Sequence, residues 1–209
     1  MFISLYVCWH LIKSMETEKE QITKIRGFLT PDRLVVVKTN KNISFLVDKG
    51  YGILQDGHLY LYPTEALYLV YKEILEVYDD KSIIIPFKKL LEIFGKEDSE
   101  IWIKLNLYTN LRKRGFIVRK GIGGKISFFV DKKSKDKVKR YLVEGMVEGV
   151  RIGFRELENL FRRSVESGRE LVIAVIDKEG NISYYIVNKL SSVESYGEKV
   201  SNIHQIYGQ

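Results

Sequence analysis

The stretch "ELVIAVIDKEGNISYYIVNKL", Glu170 to Leu190, decides the fold. Leu171 to Ile176 is an unbroken apolar run, bounded by charges and too short for a core helix. A strand buried on both faces has this composition. "DKEGN" then turns the chain with Asp, Gly and Asn, and "ISYYIVN" alternates like an edge strand that needs cover. Working outward, "FRELENLFRRSVESG" has helical spacing, with Phe154, Leu157, Phe161 and Val165 expected inward. Before it lie strand-like runs at Ile126–Val130 and Tyr141–Val147, joined by a lysine-rich loop, and "FIVRKG", a further strand. Ser99 is placed to cap a helix running to Arg114 and stopped by Gly115. The order helix-β-β-β-α-β-β predicts a mixed sheet flanked by helices over residues 99–191, a domain in its own right.

Residues 1–98 have a different rhythm. "RLVVVKTN", "ISFLVDKG" and "HLYLYP" read as short strands broken at Asn40–Asn42, Gly50–Gly52 and Asp56-Gly57. Pro63 opens a helix through "EALYLVYKEILEVYDD". Pro86 opens another, with Phe87, Leu90, Leu91 and Phe94 in a stripe and Gly95 as its stop. The expected class is α/β (α+β): a small mixed N-terminal domain, a C-terminal mixed sheet flanked by helices, and a tail over 192–209. The start, "MFISLYVCWHLIK", is apolar for about twelve residues, short of the roughly twenty that span a bilayer. It suits a first element of the core or an upstream start, with Met15 as the true one, so residues 1–14 stand apart.

The chain has 209 residues, with 34 Lys+Arg against 27 Asp+Glu and a net charge of +7. Such an excess suits a nucleic-acid partner and equally suits plain solubility. Cys8 is the single cysteine, which excludes an internal disulfide and a cysteine-based metal site and points to a reducing, cytoplasmic setting. His10, His58 and His204 are scattered, and neither a metal nor a cofactor is expected. The lean towards Lys, Glu, Ile and Val, with only Gln21, Gln55, Gln205 and Gln209, suits a thermophile.

Several pieces in order carry a resemblance. "EALYL" (Glu65–Leu69), "LYTNLRKRGFIVRKG" (Leu107–Gly121), "YLVEG" (Tyr141–Gly145) and "LVIAVIDKEGNISYY" (Leu171–Tyr185) resemble the archaeal tRNA-splicing, or tRNA-intron, endonucleases. The resemblance runs from about Gly50 to Leu190. It implies a nuclease-like C-terminal domain and a substrate, precursor tRNA, cut at bulge-helix-bulge exon–intron junctions. It also implies metal-free attack by a ribose 2′-hydroxyl, served by a tyrosine, a histidine and a lysine. One group takes the 2′ proton, one protonates the leaving oxygen, and a cation offsets charge on the phosphorane.

Carried over by position, the tyrosine falls on Asp131, the histidine on Val138 and the lysine on Arg169. The Val138 match can slip by a few residues, yet the interval Gly121–Gly168 contains no histidine. The resemblance therefore implies a non-catalytic, structural subunit of a heterotetrameric enzyme, with no catalytic residue of its own and a triad-bearing catalytic subunit as its partner. Arg162, seven residues before Arg169, matches an arginine that contacts a bulge nucleotide in active members; alone, it is a solvated charge beside Arg163. Lys132, Lys133, Lys135, Lys137, Lys139 and Arg140, tempered by Asp136, offer phosphate contacts and also suit a solvated loop. With Arg162 and Arg169, they are the RNA-binding candidates. The turn Asp177–Gly180 implies an acidic plug, through Asp177 and Glu179, for a basic pocket of a neighbouring subunit. Tyr184, Tyr185 and Ile186 would sit in a tail-to-tail strand interface.

Two rival readings exist. A metal-dependent nuclease would use Asp131 and Glu144 but lacks the lysine two positions after Glu144. A stand-alone RNA-binding module would bind RNA tightly without an obligate partner.

Overall fold

The computed structural model describes residues 24–38, 43–133 and 137–188 and the backbone of 204–205. The apolar start, the Asn40–Asn42 break, Lys135, Asp136 and most of the tail lie outside the described residues. The chain opens with β1 (Ile25–Leu29), β2 (Val35–Lys38), α1 (Ile43–Asp48), β3 (Ile53–Gln55) and β4 (His58–Leu61). It continues with α2 (Pro63–Tyr71), β5 (Leu75–Tyr78), α3 (Phe87–Gly95) and α4 (Ile101–Lys113). The second half is β6 (Ile117–Lys120), β7 (Ser127–Lys133), β8 (Val138–Val147), α5 (Phe154–Glu166), β9 (Glu170–Ile176), β10 (Ile182–Val187) and β11 (His204–Gln205).

Two mixed sheets result. The first has the order β3-β4-β2-β1-β5 and the second β11-β10-β9-β8-β7-β6. Each is antiparallel except for one parallel pair, β1 with β5 and β8 with β9. Parallel neighbours need a long crossover, and α5 supplies it for β8 and β9. The alternation along these strands assigns a helix to each face of the second sheet. Val143, Val172 and Ala174 join the core cluster that contains Leu105, Leu107 and Tyr108 of α4. Leu142, Leu171 and Ile173 face Leu160 of α5. Among the described residues no helix is long and apolar enough to cross a membrane.

The larger cluster does not stop at the boundary between the halves. It runs from Leu59 and Leu67 through Leu107 to Phe128, with Tyr108 edge-on to Tyr68 at 5.3 Å and to Phe128 at 5.8 Å. Arg112 fastens the same seam. Its guanidinium donates to the Lys49, Gly50 and Val118 carbonyls and to the Tyr108 hydroxyl at 2.8–3.1 Å, and lies 4.0 Å above the Tyr51 ring.

Five expectations need correction. "ISFLVD" is the helix α1, because Ile43 and Leu46 bury at three-residue spacing and Gly50, at φ 70°, closes the turn after it. The helix opened by Pro63 ends at Tyr71; Glu73 takes φ 58°, and Leu75 and Val77 then bury in alternation as β5. Ser99 does not cap α4. Glu100 is the capping residue, and its N–H donates to Asp98 Oδ1 at 3.1 Å. On α5 Leu157 and Phe161 pack inward as expected, beside buried Leu160 and Ser164, whereas Phe154 and Val165 are exposed. Finally, most of the lysine-rich "loop" is paired strand, with register running from Ser127↔Glu144 to Lys133↔Val138.

Candidate functional site

The C-terminal end of β7, the start of β8 and the start of β9 meet at one end of the second sheet. Gly168, at φ 64°, ends the turn after α5 and delivers Arg169 immediately before β9. Arg169 Nη1 donates to Asp131 Oδ1 at 2.6 Å and to the Tyr141 carbonyl at 3.3 Å, with the guanidinium 4.4 Å from the Phe129 ring centre. Arg119 Nη1 donates to the other carboxylate oxygen of Asp131 at 3.1 Å. The Arg169 and Asp131 side chains are 14% and 15% exposed, so this ion pair is largely withdrawn from water. Two of the three positions singled out for chemistry are thus joined to each other. The third, Val138, shares their side of the ladder, because Lys133↔Val138 and Asp131↔Arg140 are register pairs two residues apart. It is half exposed and has no proton to give.

Both carboxylate oxygens of Asp131 thus accept from a guanidinium. Arg162 does not join them: it donates to Asn159 and lies 4.0 Å from Glu166, both on its own helix. Lys132 and Lys133 are exposed on β7, and the Lys132 ammonium lies 5.2 Å from the Phe116 ring centre.

The acidic turn is built around its own carboxylate. Asp177 accepts from the Asn181 backbone N–H at 2.8 Å and from Asn181 Nδ2 at 2.9 Å, and the side-chain bond holds its acid below the ordinary range. The Gly180 carbonyl accepts from Asn106 Nδ2 at 2.8 Å, which fixes the turn on α4. Glu179 stands free at the tip, beside a shallow hollow lined in part by Trp102, Thr109 and Lys113.

Tyr184 donates its hydroxyl to Asn110 Oδ1 at 2.9 Å, and Arg114 lies 5.0 Å from its ring centre. Burial pushes its phenol up to about 12 against the pull of Arg114. Tyr184 and Ile186 pack with the α4-side core, and Tyr185 with the α5-side cluster. The strand expected at a free edge is bonded to β11 through Tyr185↔Gln205 and Ile186↔His204.

Glu144, named only in the metal-nuclease rival, has a structural place. It is 2% exposed, accepts from Ser127 Oγ at 2.6 Å and from the Gly124 N–H at 2.8 Å, and burial raises its pKa. A Cβ on Gly123 would collide with its Oε1. The signal was present: a carboxylate inside "YLVEGMV", opposite a glycine-rich turn, has to be satisfied internally. The same register separates it from Asp131 by four positions along β7, on the order of 13 Å. The two carboxylates cannot share a metal ion, which removes the geometric basis for the metal-nuclease rival. Glu65 was also missed; it is buried and accepts from the Tyr62 and Gly52 N–H groups, tying α2 to the turn before β3.

A fold of two mixed sheets, whose second half ends in this strand cluster, can now be set beside known proteins. The family profile described as tRNA intron endonuclease, N-terminal domain, matches residues 25–91, and that described as its catalytic C-terminal domain matches residues 101–184. A "tRNA-splicing endonuclease" of Methanococcus vannielii is 35% identical over 156 residues, covering 74% of this chain and 88% of that protein. One from Methanococcus maripaludis is 31% identical over the same shares. One from Pyrococcus horikoshii is 26% identical over 163 residues, covering 78% and 95%. The chain belongs to the tRNA intron endonuclease family.

Proposed function

We propose that this chain acts in tRNA splicing as the non-catalytic, structural subunit of a heterotetrameric endonuclease. The enzyme cuts the bulge-helix-bulge junctions of precursor tRNA in the cytoplasm of a thermophilic archaeon. One observation carries the reading: the positions matching the family's tyrosine and lysine hold Asp131 and Arg169, joined in an ion pair. The position matching the histidine is Val138. Each acid–base partner lost typically lowers a rate about 10²–10⁴-fold, so losing two leaves little. What remains is a scaffold of residues 99–191, joined to an N-terminal unit of residues 1–98, that holds a triad-bearing partner in its active assembly.

Family membership supports the substrate class. The exposed Glu179 on a turn anchored to α4 supports an assembly contact, since a rigid corner loses little entropy on docking. Mixing the chain with a triad-bearing family member tests the proposal. The expected result by light scattering is a complex larger than either component, with cleavage of precursor tRNA appearing or rising on mixing. No association, with tight RNA binding by the isolated chain, would instead support a stand-alone RNA-binding module.

A further inference from the structure

The end of the second sheet carries a concentration of cations that the structural role does not use. β7 and β8 are paired to their ends there, so these groups sit at fixed spacings and not in a random loop. Lys132 stands directly opposite Lys139, Asp131 opposite Arg140, and Lys133 opposite Val138. Directly opposed side chains have Cβ atoms about 4.5–5.5 Å apart, and like charges in that position destabilise a ladder. Among the described residues, neighbouring carboxylates do not relieve this. Asp131 is already held by Arg119 and Arg169, and exposed Glu170 lies across the ladder from Tyr141. Among the described residues Lys132, Lys133, Lys139 and Arg140 form no ion pair, and all four are exposed. Val138, half exposed in their midst, leaves the surface open.

The ladder end thus carries cations on both faces, Lys132 and Lys139 on one and Lys133 and Arg140 on the other, an arrangement unfavourable alone and favourable against a polyanion, because each phosphate it meets releases condensed counterions. We propose that the paired ends of β7 and β8 form a phosphate-binding ridge. Through it this chain grips the sugar–phosphate backbone of structured RNA, by charge and not by base identity. The inference rests on the reading that the assembly acts on precursor tRNA. It adds that the non-catalytic chain contributes to substrate capture, with Lys132, Lys133, Lys139 and Arg140 as contacts and Asp131 withdrawn from repelling phosphate by its two arginines.

The test uses the full chain alone and the quadruple variant K132Q/K133Q/K139Q/R140Q. A control, K72Q/K81Q/K88Q/K89Q, removes the same charge from exposed lysines of the N-terminal half. Fluorescence anisotropy measures binding of a bulged RNA hairpin and of a fully paired hairpin of equal length across a salt series. The ridge variant is expected to bind both RNAs at least about tenfold more weakly. Its slope of log affinity against log salt should be shallower by about 0.7–0.9 for each cation lost, while the control keeps the parent slope. Should the quadruple variant fail to fold, K132Q/K139Q serves, with half the change in slope. Equal binding by ridge and control variants overturns the proposal. So does unchanged RNA binding with lost association to the catalytic partner, which would make the ridge a protein-docking surface. Because the isolated chain is measured, specific cutting by that chain would overturn the structural-subunit reading and leave the ridge standing.

Discussion

At the scale of single residues, Arg169 fastens three strands of the second sheet at one end. Its guanidinium bridges the carboxylate of β7 and the Tyr141 carbonyl of β8 from the first position before β9. Hydrogen bonds to charged groups contribute about 1.5–3 kcal/mol. Arg169→Ala should therefore lower stability by that order in denaturant titration. Single-turnover cleavage by the assembled enzyme should stay within a few-fold of the parent, and a hundredfold loss would mean that this chain helps to form an active site. Glu144 gives a second prediction at this scale. Burial raises its pKa in the folded chain, so the folded state binds more protons than the unfolded one in the range just above the ordinary carboxylate value. Its contribution is full below that value and is lost as pH rises through the folded pKa. The stability of the parent relative to Glu144→Gln should thus fall as pH rises through that range, and a flat difference would contradict it. The positions of the strand cluster were singled out by the family resemblance, counted from glycines and apolar runs. The Asp131–Arg169 pair was not, because it joins residues 38 apart in the chain.

At the scale of elements, the second half was read nearly in full, because continuous apolar runs and glycine stops specify β9, α5 and α4 locally. The first half was read less well for a physical reason. "ISFLVD" and "LEVY" are short, and a short apolar segment becomes helix or strand according to what it packs on. Leu75 and Val77 form a strand because β1 offers a parallel partner, a contact no local pattern announces. The face of α5 was half right because its apolar residues spread around the helix, and the Leu142–Leu171 side of the sheet takes Leu157, Leu160 and Phe161 but neither Phe154 nor Val165. The turn after β9 supports a prediction. Asp177 is spent on Asn181, whereas Glu179 points outward. Glu179→Lys should leave the melting curve unchanged and reduce assembly with the catalytic partner, more so at low salt, as seen by light scattering. Removing one member of a desolvated charge pair costs about 2–5 kcal/mol of binding. Full assembly of this variant would reduce the corner to a simple turn.

At the scale of the whole molecule, the two halves share one core, and Arg112 ties the end of α1 to α4 and β6. Lysine cannot reproduce this fork of donors over the Tyr51 ring. Arg112→Lys should leave carbonyls short of partners, at about 1–3 kcal/mol, and lower the stability of both halves together in a single unfolding transition. Two separate transitions would show that the halves fold independently. The larger claim is that this intact family scaffold lacks the groups for RNA cleavage. The most direct measurement incubates the pure chain with a bulge-helix-bulge precursor tRNA, first metal-free and then with Mg²⁺, beside the same chain mixed with a triad-bearing family member. The predicted result is no specific cleavage by the pure chain under either condition and cleavage at the junctions by the mixture. Specific cutting by the pure chain would contradict the account.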